Sequence, residues 1–275
     1  MSHPVTTLIT TDKAVANNQS RLSICLRPNG FSFSVSTLNG ELLTVGDCQT
    51  EPPAVATDLV RMVVAAIGSG DETALDYNQM QLVVPSPHFV WVPEHLFAPV
   101  RDRQYLELVC ESEPSANVCR IYSPLLKSFM VFEADADLVT AFKILMPGID
   151  IHCQHSVLVN DILLGRSESH PLMLLHVREG VGDFEAFYNG NLLLSASHPA
   201  TSDEDHLYQA INIMKRLHLE TPDMELAICG QVDRNFYSRL QHFFPNVTLY
   251  TGRPFTFTNP EFQTLHTYRH TLILS

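Results

Sequence analysis

The chain contains the same sequence pattern twice, and this repeat limits the folds that are open to it. Residues Arg21 to Gly46 align without a gap with Pro171 to Ala196, at a constant offset of 150 residues. A second match, of Met80-Gln81-Leu82 with Met224-Glu225-Leu226, has an offset of 144 residues. Because the units of solenoid proteins are shorter than this, the repeat predicts two copies of one domain in tandem.

Composition and charge exclude several classes of protein. The 275 residues are 45% hydrophobic and 17% charged, which is typical of globular domains, and the length suits two of them. The net charge is −13, and so acidic a surface repels phosphate backbones and anionic lipids. We therefore expect no nucleic-acid partner. We also expect no direct membrane insertion, since no apolar run reaches the roughly 20 residues of a spanning helix.

The N-terminal segment and the cysteines predict a cytoplasmic protein. Met1 to Ser20 is polar and lacks the apolar core of a signal peptide, so we expect a frayed lead-in there. The six cysteines show no CxxC spacing, and several lie in apolar runs. This is the pattern of reduced, buried thiols rather than of disulfides.

The first copy has the pattern of three strands, a helix and a further strand. Phe31 to Val35 alternates apolar residues with serine, which is typical of a half-buried strand. Asn39-Gly40 is a strong hairpin signal because both residues tolerate positive φ. An apolar stripe then predicts a helix that begins at Pro53 and stops at Gly68, and Gln79 to Val84 is typical of a buried strand.

The second copy repeats this order and extends it. Its hairpin is Asn189-Gly190, and Ser202 with Asp205 forms a capping-box motif before an apolar helical stripe. A strand from Glu225 to Cys229, a helix and a last strand follow. Each half is therefore predicted as a β-β-β-α-β-α-β domain of the α/β class, with a mixed five-stranded sheet covered by helices.

The first half contains additional material. Between its fourth strand and its last helix we predict an insertion at about 86–133, with a strand, a helix and a hairpin of its own. Arg166 to Pro171 is short and polar and ends in proline, which is typical of a linker. We therefore place the first domain at residues 1–168 and the second at 169–275.

Two such domains in tandem resemble the actin, heat-shock chaperone and sugar kinase superfamily, whose domains have an RNase H-like fold. The resemblance covers nearly the whole chain in element order and duplication. The second half is most similar to the actin-like proteins of pilus assembly, and the chain as a whole resembles an uncharacterised bacterial family of this fold. The residues that carry the pilus-assembly resemblance are Phe187-Tyr188-Asn189-Gly190, Ser195 to Pro199, Ile228-Cys229-Gly230 and Gly252-Arg253-Pro254-Phe255.

The resemblance implies a nucleotide site at two hairpin turns that face the cleft between the domains. In the superfamily each turn carries an Asp that holds hydrated Mg²⁺ and a Gly that lets backbone N–H groups approach the phosphates. The first turn here contains Arg27, Asn29 and Gly30 but no acidic residue. Pro28 removes an N–H donor, and Phe31 is bulky where small residues are expected.

The second turn departs from the superfamily pattern in another way. It keeps two glycines and two acids but not the Asp-x-Gly order, and the Gly-Gly pair on the adenosine side is Gly230-Gln231 here. Departures in three elements predict that ATP hydrolysis is lost, while Arg27 and Arg178 would give the cleft positive charge for a small anion. The candidate residues of this half are Arg178, Glu179, Gly180, Gly182, Asp183, Gly230 and Gln231.

Other local signatures of chemistry are weak or absent. The sequence has no Walker, GxSxG, zincin or EF-hand motif. His152-Cys153-Gln154-His155 lacks a second ligand pair, and His266 with His270 lacks a general-base Glu, so a structural role is favoured and no metal is predicted. Trp91 and its neighbouring phenylalanines are interpreted as core aromatics, with an exposed docking patch as the alternative.

The function that fits these observations is a cytoplasmic scaffold or protein-interaction module of actin-like fold, without ATP hydrolysis. We predict no cofactor, and a protein partner that the sequence does not identify. One alternative is an ATPase or sugar-kinase-like phosphotransferase that uses ATP and Mg²⁺ in the cleft, for which Glu179 and Asp183 would supply the required carboxylate. The other is a component of pilus or secretion assembly.

Overall fold

The chain forms two compact units in the computed structural model, which describes residues 5–10, 19–50, 55–67, 77–112, 115–165, 170–220, 222–257 and 259–275. The first unit contains the described residues of Met1–Ser156, Pro254–Leu265 and Leu272–Leu274. The second contains those of Val157–Arg253, His266–Thr271 and Ser275. The domain boundary at residue 168 stays a prediction, since residues 166–169 lie outside the described part of the chain.

Within its described residues, the first unit contains nine strands and three complete α-helices. They are β1 Val5–Thr10, β2 Ser20–Arg27, β3 Gly30–Thr37, β4 Leu42–Gln49, α1 Ala56–Ile67, β5 Gln79–Val83, β6 Phe89–Pro93, α2 Asp102–Glu107, β7 Asn117–Ser123, β8 Ser128–Ala134, α3 Ala136–Leu145 and β9 Asp150–His152. The main sheet has the strand order β1-β4-β3-β2-β5-β9. The β2–β3 and β3–β4 pairs are antiparallel, whereas β2–β5 and β5–β9 are parallel. The predicted helix start at Pro53 and its stop at Gly68 lie outside the described residues.

Strand β1 corrects the prediction of a frayed lead-in. It pairs antiparallel with β4, from Val5 opposite Gln49 to Thr10 opposite Thr44. The β-branched residues of its sequence, VTTLIT, were the available signal. The pairing itself is not readable from the sequence, because an edge strand obtains its backbone hydrogen bonds from a partner that is distant along the chain.

The insertion forms a separate small sheet with the order β6-β8-β7. Helix α2 packs on it through Leu106, which is buried with Val92 and Val131. A 3-10 turn at Pro99–Arg101 directly precedes this helix. Trp91 is partly buried and packs against the main core of the unit, as the core interpretation predicted.

In the part of the second unit that the structure describes, five strands form one sheet. Its elements are most of α4 Gln154–Gly165, then β10 Leu172–Arg178, β11 Val181–Tyr188, β12 Asn191–Pro199, α5 Asp203–Arg216, β13 Glu225–Gly230, α6 Arg234–Leu240 and β14 Asn246–Leu249, with part of α7 Thr271–Leu274. The strand order is β12-β11-β10-β13-β14. Helix α5 begins with the predicted capping box, in which Ser202 accepts from the backbone N–H of Asp205 and Asp205 accepts from that of Ser202.

The two sheets have the same topology, which confirms the duplicated fold. The order β12-β11-β10-β13-β14 repeats β4-β3-β2-β5-β9, with the same parallel and antiparallel pairs. A β-bulge interrupts the ladder at matching places, between Val35 and Ser36 and between Ala186 and Phe187. Asn189 and Gly190 both have positive φ, whereas at the first hairpin only Gly40 does.

Hydrogen-bond register corrects the gapless alignment of the two copies. Arg27 lies opposite Gly30 at the end of the β2–β3 ladder, and Arg178 lies opposite Val181 at the end of the β10–β11 ladder. The offset is therefore 151 in the first two strands of each copy. A shift of one residue exchanges the two faces of a strand, but residues on both faces of these strands are buried, so the sequence did not reveal it.

We expect alanine at Gly30 to destabilise the first unit far more than alanine at Gly40. Both glycines have positive φ, which costs an L-residue about 1 kcal/mol. A Cβ at Gly30 would also lie 2.0 Å from the carbonyl oxygen of Cys48, whereas a Cβ at Gly40 meets no atom within 4 Å. Denaturant unfolding should show a loss of about 3 kcal/mol for Gly30→Ala, because the backbone of β4 must move, and equal losses for both variants would contradict the register.

Candidate functional site

The turn between β2 and β3 is closed by an arginine–aspartate ion pair. The guanidinium of Arg27 lies 3.0 Å (Nη1) and 2.7 Å (Nη2) from the two carboxylate oxygens of Asp47 in β4. Nη2 also lies 3.3 Å from the carbonyl oxygen of Phe31. The positive charge expected at this turn is therefore balanced by a carboxylate within the same sheet.

The backbone of this turn packs against its own sheet. The backbone N–H of Thr50 donates to the carbonyl oxygen of Asn29 at 3.0 Å, and Gly30 allows β4 to approach closely. The ring of Phe31 is fully buried in the core beside Phe33. Phe31 is therefore a core residue. Its bulk does not occupy the place of a phosphate group, which corrects the expectation that Phe31 obstructs the first phosphate turn.

The matching turn of the second unit holds a fully buried carboxylate. Asp183 has no exposed side-chain surface. Its Oδ2 lies 2.6 Å from Nε of Arg178 and 3.1 Å from Nδ1 of His176. Its Oδ1 accepts from Nη2 of Arg178 at 2.9 Å and from the hydroxyl of Ser197 at 2.6 Å. Both oxygens are thus held by protein donors, as a buried carboxylate requires.

Both turns contain an arginine–aspartate ion pair, but the aspartate lies on a different strand in each copy. Asp47 of β4 lies opposite Ser32 of β3, and Asp183 of β11 lies opposite Ser197 of β12. By hydrogen-bond register Ser32 matches Asp183, and Asp47 matches Ser197. Aspartate and serine have therefore exchanged strands between the copies, while an arginine ends the first strand in both.

Gly230 and Gln231 join the second turn through the end of β10. The backbone N–H of Gln231 donates to the carbonyl oxygen of Val177 at 2.8 Å. Gly230 has positive φ, and a Cβ there would lie 2.1 Å from the same carbonyl oxygen. Gly230 is thus required by the close approach of two parallel strands.

His206 in the first turn of α5 is a site residue that the sequence did not suggest. A Cβ at Gly182 would lie 2.7 Å from its Nδ1, which has no hydrogen-bond partner among the described residues. Burial lowers the pKa of His206, although Asp203, Asp205 and Asp183 oppose the shift. The imidazole of His206 is therefore neutral and lies next to Gly182, the glycine that was expected to face a phosphate.

The structure brings the candidates of the second unit together at one end of its sheet. They lie at the ends of β10 and β13 and at the start of β11, while Glu179 and Gly180 are exposed at the tip of the turn. Arg27, Asn29 and Gly30 form the corresponding turn of the first unit. The residues that the sequence reasoning missed are Asp47, His176, Ser197 and His206.

A cavity of about 480 Å³ lies beside the insertion in the first unit. Its wall includes Pro85, Ser86 and Pro87, and the buried Gln154 amide bonds both the N–H and the carbonyl of Ser86 at 2.9 and 3.0 Å. The buried carboxylate of Glu133 also lines it and is bonded by His88 at 2.8 Å. The cavity therefore has a hydrogen-bonded segment at Ser86 and an acidic group in its wall.

The histidines noted in the sequence pack against other side chains or border a turn. The imidazole of His155 is buried and stacks on Phe89, with ring centroids 3.9 Å apart, while His266 and His270 border a 3-10 turn. Among the described residues, no three His, Cys, Asp or Glu side chains are grouped so as to hold a metal ion. Across the same residues, no helix has the length and hydropathy needed to cross a membrane.

Comparison with known proteins identifies the family and the fold. Residues 10–247 match the family described as "Protein of unknown function (DUF3822)". The chain belongs to this family. No protein of curated function matches the sequence.

Two solved structures of low sequence identity show the fold. A Bacteroides thetaiotaomicron protein described as having an actin-like ATPase fold and unknown function is 20% identical, with a TM-score of 0.75, over 85% of this chain and 91% of that one. The structure described as the PilM-PilN type IV pilus biogenesis complex matches with 9% identity and a TM-score of 0.56, over 95% of this chain and 97% of that one. The DUF3822 chain therefore has the actin-like ATPase fold, and the similarity to pilus-assembly proteins is confirmed at the level of structure.

We expect Asp183→Asn to destabilise the second unit by about 3 kcal/mol, because it leaves the largely buried Arg178 without its counter-charge. Asp223→Asn is a matched control in the same unit, since Asp223 forms an exposed pair with His170 and should change stability by less than about 0.5 kcal/mol. Denaturant unfolding measures both. Similar effects for the two variants would show that the ion pair contributes no more than a surface contact.

We expect His152 to make stability pH-dependent on the acid side of neutrality. Burial lowers its pKa from 6.5 to about 4, although Asp150 opposes the shift, and Arg21 adds to it. The favourable contribution of the neutral ring is complete above pH 6.5 and is lost as pH falls toward 4. From about pH 7.5 to about pH 5 the wild type should therefore lose about 2 kcal/mol more unfolding free energy than His152→Gln. Parallel pH profiles would contradict this.

Proposed function

We propose that this DUF3822 protein is a protein-binding module of actin-like fold that does not hydrolyse ATP. One observation carries the proposal: the first hairpin of each unit is closed by its own arginine–aspartate pair. In a hydrolytic site these turns would have to offer a carboxylate to Mg²⁺ and backbone N–H groups to phosphate.

The carboxylates of these turns do not fit Mg²⁺ and ATP. Coordination by Asp183 would compete with its hydrogen bonds from Arg178 and His176 and would place a divalent cation beside a largely buried guanidinium. Breaking a buried ion pair in this way costs several kcal/mol. Asp47 is engaged by Arg27 in the same bidentate manner. The two carboxylates therefore serve the fold, and we assign them no catalytic step.

Protein binding is supported by the surface of the insertion. Val100 and Leu108 are 91% and 81% exposed, and Val109 is also exposed, all on one short segment that includes α2. Large apolar side chains with this much exposure are available for contact with a partner. The cavity beside the insertion adds a concave surface. The structural neighbour PilM is itself described in a complex with PilN, which supports a protein partner and, as a second candidate role, a part in pilus or secretion assembly.

We further propose that the protein acts in the cytoplasm. All six cysteines are free, and five of them are buried. Burial raises the pKa of Cys229 and of Cys119, which keeps these thiols protonated and unreactive. Free thiols in this number are typical of a reducing compartment.

We expect the purified protein to show no ATP turnover above background. ATP with Mg²⁺ should also leave its melting temperature unchanged, because a ligand raises stability only when it binds the folded state. Steady-state phosphate release and thermal shift are the two measurements.

Two variants make the ATPase experiment decisive. Glu179 is the exposed carboxylate at the tip of the second turn, and Glu220 is an exposed carboxylate outside it. Turnover that is lost in Glu179→Gln but kept in Glu220→Gln would overturn the proposal and would favour the phosphotransferase. Turnover that neither variant changes indicates a contaminating enzyme. Further purification should then remove this turnover, which would agree with the proposal.

A further inference from the structure

Helices α1 and α3 of the first unit border a groove on its surface. The two helices pack against each other, and inward residues such as Leu59 and Ala141 belong to the same core. A depression of about 620 Å³ lies between the segments 55–59 and 135–144, and we call it the α1–α3 groove. Its volume is within the range of protein binding sites.

The groove exposes apolar side chains. Ile144 on α3 is 69% exposed, and Val55, directly before α1, is 53% exposed. Leu138, Ala141 and Ile144 are spaced three residues apart on α3, so they lie on one face of this helix. The side of α3 that lines the groove is therefore an apolar stripe.

Two carboxylates lie at one end of this stripe. Asp135 is the N-cap of α3 and Asp137 lies in its first turn, and both side chains are exposed. The N-terminus of a helix carries about half a positive charge, which does not balance two negative charges. Among the described residues that line the groove, none is Lys or Arg. This end of the groove is therefore negative.

The sequence around α1 is acidic as well. Residues 51–76 include five Asp or Glu and one basic residue, Arg61. The guanidinium of Arg61 lies 3.6 Å from the carboxylate of Asp58, one turn earlier on the same helix. The charge of Arg61 is thus balanced within α1 and does not offset the carboxylates of α3.

A helix fits this groove better than an extended strand. The backbone groups in the middle of α1 and α3 are used within each helix, so a strand would find no partners there for its own N–H and carbonyl groups. A helix satisfies its own backbone and packs through its side chains into the groove. The ten residues of α3 offer it a length of about 15 Å, or nearly three turns.

We propose that the α1–α3 groove binds an amphipathic helix of a partner protein, with Lys or Arg beside Asp135 and Asp137. The apolar face of the bound helix covers Leu138 and Ile144, and its basic residues complement the two carboxylates. A second copy of this chain is a poor occupant, because each copy has a net charge of −13. This inference rests on the proposed function, since it names the partner surface of a protein-binding module.

The test is selection from a display library of helical peptides on the full chain. The peptides are about 14 residues long, or four turns, with apolar residues three and four apart and randomised polar positions. We expect Lys and Arg to be enriched over Asp and Glu among the bound peptides. Binding of the best synthetic peptide should weaken as ionic strength rises. Enrichment of acidic residues instead would overturn the proposal.

Two exposed apolar residues provide a matched pair of variants. Ile144 is 69% exposed on α3, and Leu164 is 57% exposed on α4, so serine at either position should leave the fold intact. Ile144→Ser should weaken binding of the selected peptide about tenfold or more, as the loss of a central apolar contact does. Leu164→Ser should leave the affinity unchanged. If no selected peptide responds to Ile144→Ser, the α1–α3 groove is not the binding site.

A second pair of variants tests the charge of the groove. Asparagine caps a helix about as well as aspartate, so Asp135→Asn combined with Asp137→Asn removes two charges and keeps α3. This double variant should weaken binding about fivefold, as the loss of two exposed ion pairs predicts. Asp223→Asn, at an exposed carboxylate of the second unit, is the control and should have no effect. Equal affinities of the double variant and the wild type would contradict the assigned partner chemistry.

Failure of this inference can be told apart from failure of the proposed function. Peptide binding that is lost in Val100→Ser but kept in Ile144→Ser would place the contact on the insertion. That outcome overturns the α1–α3 groove as the binding site and leaves the protein-binding module in place. The proposed function itself is overturned by ATP turnover that depends on Glu179.

Discussion

An arginine–aspartate pair closes the first hairpin of each unit, and desolvation makes this pair obligatory. Asp183 has no exposed surface, and an unpaired carboxylate at that depth would cost several kcal/mol. Arg178, His176 and Ser197 together satisfy both of its oxygens. Three nearby features are compatible with the buried carboxylate of Asp183. They are the position of the hairpin, the close approach of β13 at Gly230 and the neutral imidazole of His206.

The exchange of aspartate and serine between the copies shows what the fold requires. The guanidinium at the end of the first strand needs a carboxylate within the sheet, but either of two cross-strand partners can supply it. In the first unit the carboxylate is that of Asp47 on β4, and in the second it is that of Asp183 on β11. An acidic residue in such a turn is thus no sufficient sign of a magnesium site, because it can equally be the counter-ion of a structural arginine.

The sequence identified the residues of the candidate turns but not their partners. Arg27 and Arg178 end the strands before the two turns, as the sequence predicted, whereas the loss of the superfamily's nucleotide site stays a prediction. Asp47 was missed because it is twenty residues from Arg27 along the chain and becomes its neighbour only through the pairing of β3 with β4. Phe31 was misinterpreted as a residue of the phosphate turn because a strand sequence buried on both faces does not show which face a side chain occupies.

The sequence by itself determined the duplication, the order of the elements and the class of fold. Hairpin glycines, helix caps and apolar stripes act over a few residues, so these features are readable locally. The tertiary structure alone decided the one-residue register shift, the pairing of β1 with β4 and the ion pairs. The physical reason is that backbone ladders and buried charges are satisfied by groups that are far apart in the sequence, and a local pattern carries no information about which distant group will be the partner.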